Sequence, residues 1–163
     1  SKLATEADAL NDLLAERGIE QNFLLLSLNG RGREFYLWAG LSEAWKPKIV
    51  IVRYNPHLAP ELDAVIPLSV KVGFQGGVYY GASALALLRL GRSRGYHLVH
   101  VGSRRAVLYF VHEEHIASLR SSELFDDLSA LLSHATFRPC EDGDPQAFRW
   151  LSSGGGGGGG GSG

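Results

Sequence analysis

The chain has 163 residues, room for one domain, and 45% of them are hydrophobic, as in ordinary globular cores. A net charge of −1 excludes a broad positive field for nucleic acid or anionic membranes, and we expect no membrane span because no apolar run approaches ~20 residues. The single cysteine, Cys140, excludes an intramolecular disulfide and a cysteine-based zinc cluster.

Methionine is absent, so we expect a processed start: removal of an initiator methionine, loss of a targeting segment, or truncation of a longer protein. The lone cysteine fits an intracellular protein, and an organellar site stays open.

The first elements in chain order are a helix and a buried strand. Thr5 with Asp8 predicts a helix start, and helical spacing continues until Gly18. Phe23–Leu28 is apolar at nearly every position, which predicts a strand covered on both faces. A Gly/Arg loop then leads to a predicted helix over Glu34–Trp45.

The later elements predict two crossovers and a hairpin. Lys48–Val52 is rich in β-branched residues and predicts a strand, and Ala82–Arg94 predicts a helix. Tyr96–Val101 and Ala106–Val111 predict a hairpin, followed by a helix over Ser122–His134. Strand–helix–strand crossovers favour parallel pairing. The order therefore predicts an α/β fold with a mostly parallel sheet and a terminal antiparallel strand.

Three ordered segments carry a family resemblance. Leu25–Trp38 (LLSLNGRGREFYLW), Lys46–Pro56 (KPKIVIVRYNP) and Tyr80–Val101 resemble segments of FkbM-like, S-adenosylmethionine-dependent class I methyltransferases. Leu108–Val111 is similar to a fourth, and the resemblance runs from about Thr5 to Val111. It implies the carboxyl-terminal half of a Rossmann-like class I methyltransferase sheet.

The charges depart from the family pattern. Asn29 and Arg31 stand where the family has aspartates, and Arg53 stands where it has a glutamate. Carboxylates there could bind a metal, accept a proton or hold a cationic cofactor, whereas arginines repel a sulfonium by ~1–4 kcal/mol per close pair. The positions that match the family are Gly32, Glu34, Tyr54, Asn55, Tyr80, Gly81 and Ser83.

The cofactor-binding part of such a fold is not expected here. The 22 residues before Phe23 read as one helix and a turn, which leaves no room for a glycine-rich turn after a first strand. Phe23–Leu28 would then lie at the edge of the sheet without charge or proline to protect it. We expect a protein partner or a second copy to cover this edge, which comprises Phe23, Leu24, Leu25, Leu26 and Leu28.

Two units are predicted: a domain over residues 3–137 and an extended tail over residues 138–163, which ends in a polyglycine run. We expect a non-catalytic interaction subunit without a cofactor. The alternative is a methyltransferase that uses S-adenosylmethionine through a half on another chain, with Glu34, Tyr54, Asn55 and Tyr80 as catalytic candidates. A phosphate or RNA module that uses Arg31, Arg33 and Arg53 is a third hypothesis, although the net charge of −1 argues against nucleic acid as a partner.

Two further features favour structural roles. Ser83 follows Tyr-Gly-Ala without the Gly-x-Ser-x-Gly pattern of a nucleophile elbow, so we interpret it as a helix N-cap. His112 and His115 are spaced i, i+3, which predicts two surface residues of a short helical turn.

Overall fold

A computed structural model describes residues 2–69, 78–102, 106–117, 119, 125–133 and 151–153. The described chain is a mixed α/β fold. Its helices and strands are α1 (Lys2–Glu16), β1 (Leu25–Leu28), α2 (Glu34–Ala39), β2 (Ile49–Arg53), α3 (Ala84–Ser93), β3 (Tyr96–Gly102), β4 (Val107–His112), α4 (Glu113–Ile116) and α5 (Leu128–Leu132).

Four strands form an open sheet in the order β1-β2-β4-β3. β1 and β2 are parallel, and β4 is antiparallel to both β2 and β3, so β1, β2 and β3 run in the same direction. The predicted hairpin and the single reversed strand are confirmed. The reversed strand, β4, is the last of the described strands in chain order, yet it lies inside the sheet between β2 and β3.

One face of the sheet carries the core. Val50, Val52, Leu108 and Phe110 are fully buried there. α3 approaches closely because it carries Gly91 at the contact, where a Cβ would lie 2.7 Å from the Phe110 ring. The rings of Trp38 and Phe110 meet edge to face with centroids 4.9 Å apart, and this contact joins α2 to the sheet.

The opposite face is less covered at β1. Leu26 and Leu28 are buried, but Leu25 keeps 46% of its surface exposed and Ser27 is also exposed. Within the part of the chain that the structure describes, the prediction that this strand is covered on both faces is therefore wrong.

Helix α2 is shorter than predicted. It ends at Ala39, with Gly40 as the C-cap, instead of continuing to Trp45. The Arg94 guanidinium donates to the carbonyl of Ala39, the last residue of α2, at 3.4 Å, and to the carbonyl of Leu41 just beyond the helix at 2.6 Å. A side chain 53 positions away in the sequence thus helps to fix the boundary.

Other boundaries also differ from prediction. α1 begins at Lys2, before the predicted cap Thr5. α5 begins at Leu128 with Asp127 as its N-cap, and the predicted bounds Ser122 and His134 lie outside the described residues. Among the described residues, no helix is long and apolar enough to cross a membrane.

The short helical turn predicted from the histidine spacing is present as α4, but His112 is only 6% exposed, so the prediction that both histidines lie at the surface is wrong. His112 is its N-cap, and its Nδ1 accepts from the N–H of Glu114 at 3.4 Å.

Candidate functional site

The loops that follow β1 and β2 meet at the carboxyl ends of these strands, where open α/β sheets bind ligands. Residues 29–34 follow β1, and residues 53–55 end and follow β2. Gly81 joins them, since a Cβ at Gly81 would lie 3.8 Å from the Cα of Gly32. The segments predicted to form a site therefore lie together, and we call them the motif rim.

Glu34 is the buried carboxylate of the motif rim, with 5% of its surface exposed. One carboxylate oxygen accepts from the N–H of Gly32 at 2.9 Å and so closes the loop before α2. In this loop the φ angle is +50° at Arg31 and +94° at Gly32. Burial raises the pKa of Glu34, against the opposing effects of backbone hydrogen bonds and of the Arg53 charge. Glu34 therefore holds its own loop in shape.

Exposed cations dominate the outer part of the motif rim. Arg31 and Arg53 are exposed, and Arg33 is half-buried beside them at the start of α2. Asn29 is exposed and uncharged. A rim of this charge repels a sulfonium and attracts anions, as the sequence predicts.

Asn55 is fully buried, and its side-chain amide is engaged in three hydrogen bonds. Its Nδ2 donates to the carbonyls of Val78 at 2.7 Å and Tyr80 at 2.9 Å, and its Oδ1 accepts from the N–H of His57 at 3.0 Å. Asn55 thus fastens the segment before α3 to the end of β2. Both Nδ2 hydrogens are used in these bonds, and the residue has no exposed surface through which a substrate could reach the amide.

The two tyrosines of the motif rim differ in burial. Tyr54 is 4% exposed, and burial raises the pKa of its phenol far above the ordinary value, so the hydroxyl stays protonated. Tyr80 is half-buried, its carbonyl accepts from Asn55, and its ring meets that of His57 edge to face. The buried, protonated phenol of Tyr54 is therefore not placed to act as a general base.

Ser83 is the N-cap of α3, as predicted. Its Oγ accepts from the N–H of Ala86 and from the N–H of Ala64, both at 3.1 Å, and the residue is fully buried. A hydroxyl held between two backbone donors supports folding, and no described base lies within hydrogen-bonding distance to activate it as a nucleophile.

Two clefts lie away from the motif rim. One, of about 260 Å³, opens where β3 begins and β4 ends, between residues that include Trp45, Tyr96 and Glu113. The other, of about 510 Å³, lies beside His97 and Phe125. Among the described residues, no group of three or more His, Cys, Asp or Glu side chains could hold a metal ion.

Sequence reasoning missed two aspartates. Asp126 accepts from His97 Nδ1 at 2.8 Å and from the N–H of Leu98 at 2.7 Å, which places it beside β3. Asp63 binds Arg89 and two serines near the carboxyl end. No local pattern marks either residue, because their partners lie between 26 and 90 positions away.

Comparisons with known proteins add no family to this description. No family model, no curated protein and no solved structure matches the chain.

Proposed function

We propose that this chain is a non-catalytic, methyltransferase-like domain that serves as an interaction subunit of a larger assembly, and that another polypeptide covers the open edge of β1. The observation that carries the proposal is the position of β1 at the end of the sheet, paired with β2 alone among the described strands.

The backbone of β1 leaves donors and acceptors for a further strand. The N–H of Ile49 donates to the carbonyl of Leu24 at 3.0 Å, and the backbone groups of alternate residues face the partner in a parallel pair. The N–H and C=O groups of Leu25 and Ser27 therefore point away from β2. Leu24 is 66% exposed, and no charge within β1 opposes an added strand.

The chemistry of the motif rim supports a non-catalytic role. Glu34, Asn55 and Ser83 are buried, and their side chains bind backbone groups of nearby loops. The exposed charged residues of the motif rim are the arginines Arg31 and Arg53, whose charge opposes a sulfonium cofactor. The methyltransferase resemblance itself is supported by the single reversed strand that ends the sheet in chain order.

Ser27 gives a matched pair of variants for the edge. Because its N–H points outward, Ser27→Pro removes a donor of the open edge and leaves the β1–β2 hydrogen bonds, whereas Ser27→Thr keeps the donor. In analytical ultracentrifugation between 1 and 100 µM (roughly the range of weak self-association), we expect the wild type and Ser27→Thr to associate. Ser27→Pro should sediment as a monomer. A wild-type chain that stays monomeric and soluble at the highest concentration contradicts the open-edge proposal.

Calorimetric titration with S-adenosylhomocysteine tests the absence of cofactor binding. We expect no heat of binding. Micromolar binding that Glu34→Gln weakens would instead favour a methyltransferase completed by another chain.

A further inference from the structure

The segment around Val65 presents a second backbone edge. Gly81–Ser83 pairs with one side of the segment around Val65: the N–H of Ile66 donates to Gly81 and the N–H of Ser83 donates to Ala64. The backbone of Val65 therefore points to the other side. There it meets Leu151, with the Val65 N–H donating at 2.6 Å and the Leu151 N–H donating back at 2.8 Å.

Asp63 adds side-chain recognition to this pairing. Its carboxylate accepts from the Ser152 hydroxyl at 2.7 Å and from the N–H of Ser153 at 3.1 Å. Arg89 holds the same carboxylate at 2.6 Å, and the Asp63 side chain is 11% exposed. Burial opposes ionisation, but the two serines and Arg89 lower the pKa of Asp63 below its ordinary value. The carboxylate is therefore ionised and oriented at neutral pH.

We propose that residues 63–65 form a docking site for an extended Leu-Ser-Ser segment, held here by the chain's own Leu151–Ser153 and open to the same segment of a second copy. Pairing through the backbone of Val65 gives affinity in the manner of an added β-strand, and Asp63 selects serine in the second position. Leu151 remains 43% exposed, so the segment lies on the surface and can leave without opening the core.

The length of the connecting chain permits exchange between copies. Residues 134–150, which number 17, lie in the sequence between Ser133, the C-cap of α5, and the docked segment. Fully extended, that stretch spans roughly 55–60 Å, which exceeds the diameter of a small domain.

The test uses a labelled peptide that copies residues 149–153 and fluorescence anisotropy. In the full chain, Leu151→Pro removes the donor to Val65 and weakens the internal segment, which frees the site for the peptide. We expect the Leu151→Pro chain to bind the peptide at least tenfold more tightly than the wild type, because the internal segment no longer competes. Adding Asp63→Ala should reverse this gain, and a peptide with alanine in place of Ser152 should bind more weakly.

Equal binding by all three chains, or no binding by the Leu151→Pro chain at millimolar peptide, overturns the proposal. Amide hydrogen exchange in the wild type gives a second, independent readout. The N–H groups of Leu151 and Ser153 should exchange at least tenfold more slowly than those of an unstructured peptide of the same sequence, and Asp63→Ala should remove the protection of Ser153. Unprotected amides in the wild type refute the docked state itself.

Discussion

Truncation of Asn55 to alanine tests whether the motif rim serves folding or chemistry. The change removes a buried amide and leaves three backbone partners unpaired: the carbonyls of Val78 and Tyr80 and the N–H of His57. A buried, unpaired polar group costs about 1–3 kcal/mol. The Val78 bond is buried and the other two are partly buried, so we expect a loss of about 3 kcal/mol in the free energy of unfolding.

Asn55→Asp is the matched control, because it keeps the shape and removes the donors. At pH 7 a carboxylate would face two carbonyl oxygens, so this variant should be at least as unstable as Asn55→Ala. At pH 4 it should recover part of the loss, because a protonated carboxyl can donate one hydrogen bond.

Urea unfolding followed by circular dichroism measures both effects. Catalytic side chains are often held at a cost to stability, so their removal commonly leaves the fold unchanged or stabilises it. A loss of less than 1 kcal/mol (below the range for one buried, unpaired group) for Asn55→Ala would refute the structural assignment and return Asn55 to the catalytic candidates.

Three other changes test the same structure. Ser83→Ala should lower the unfolding free energy by about 2 kcal/mol, because it removes the helix cap and leaves the buried N–H of Ala64 unpaired. Thermal melting checks this, with Ser83→Thr, which keeps the hydroxyl, as the control. Gly91→Ala should lower the unfolding free energy by about 1–2 kcal/mol, although alanine has the better helix propensity, because the added Cβ would meet the Phe110 and Trp38 rings. An unchanged melting temperature would contradict this close packing of α3 on the sheet. The raised pKa of Glu34 makes its contribution to stability greatest at pH values below about 4, the range of a free carboxyl, and this contribution is lost as the pH rises through the folded-state pKa. Glu34→Gln should therefore flatten the decline in unfolding free energy as the pH rises above the free-carboxyl range.

Much of the sheet could be predicted because its strands are defined locally. Predicted Lys48–Val52 and Tyr96–Val101 differ from β2 and β3 by one residue at most at either end. β-branched and apolar runs bounded by turn residues are sufficient to mark such strands. The insertion of β4 between β2 and β3 was not predictable in the same way. Strand order depends on long-range pairing, such as that of Val50 with Phe110, which leaves no local signal.

The predicted helix boundaries were wrong for a related physical reason. Apolar periodicity continues past Ala39, yet α2 ends there, with Arg94 bound to the carbonyl of Leu41. Asp126 adopts a positive φ of 62° and pairs with Leu98 of β3, which keeps the chain out of helical geometry two residues before α5 begins. Both boundaries depend on tertiary contacts that propensity and spacing do not encode.

The motif rim shows why matching residues need not imply matching chemistry. Asn55 binds carbonyls of the segment before α3, and Ser83 caps α3 and accepts from the N–H of Ala64, so both side chains support this loop arrangement. The charged side chains of Arg31 and Arg53 at the same rim are exposed and make no comparable contribution to folding. If cofactor binding were lost, substitutions at the charged positions would therefore be tolerated, whereas the buried amide of Asn55 and hydroxyl of Ser83 would still be needed for folding. This is the pattern that a non-catalytic domain with an interaction role predicts.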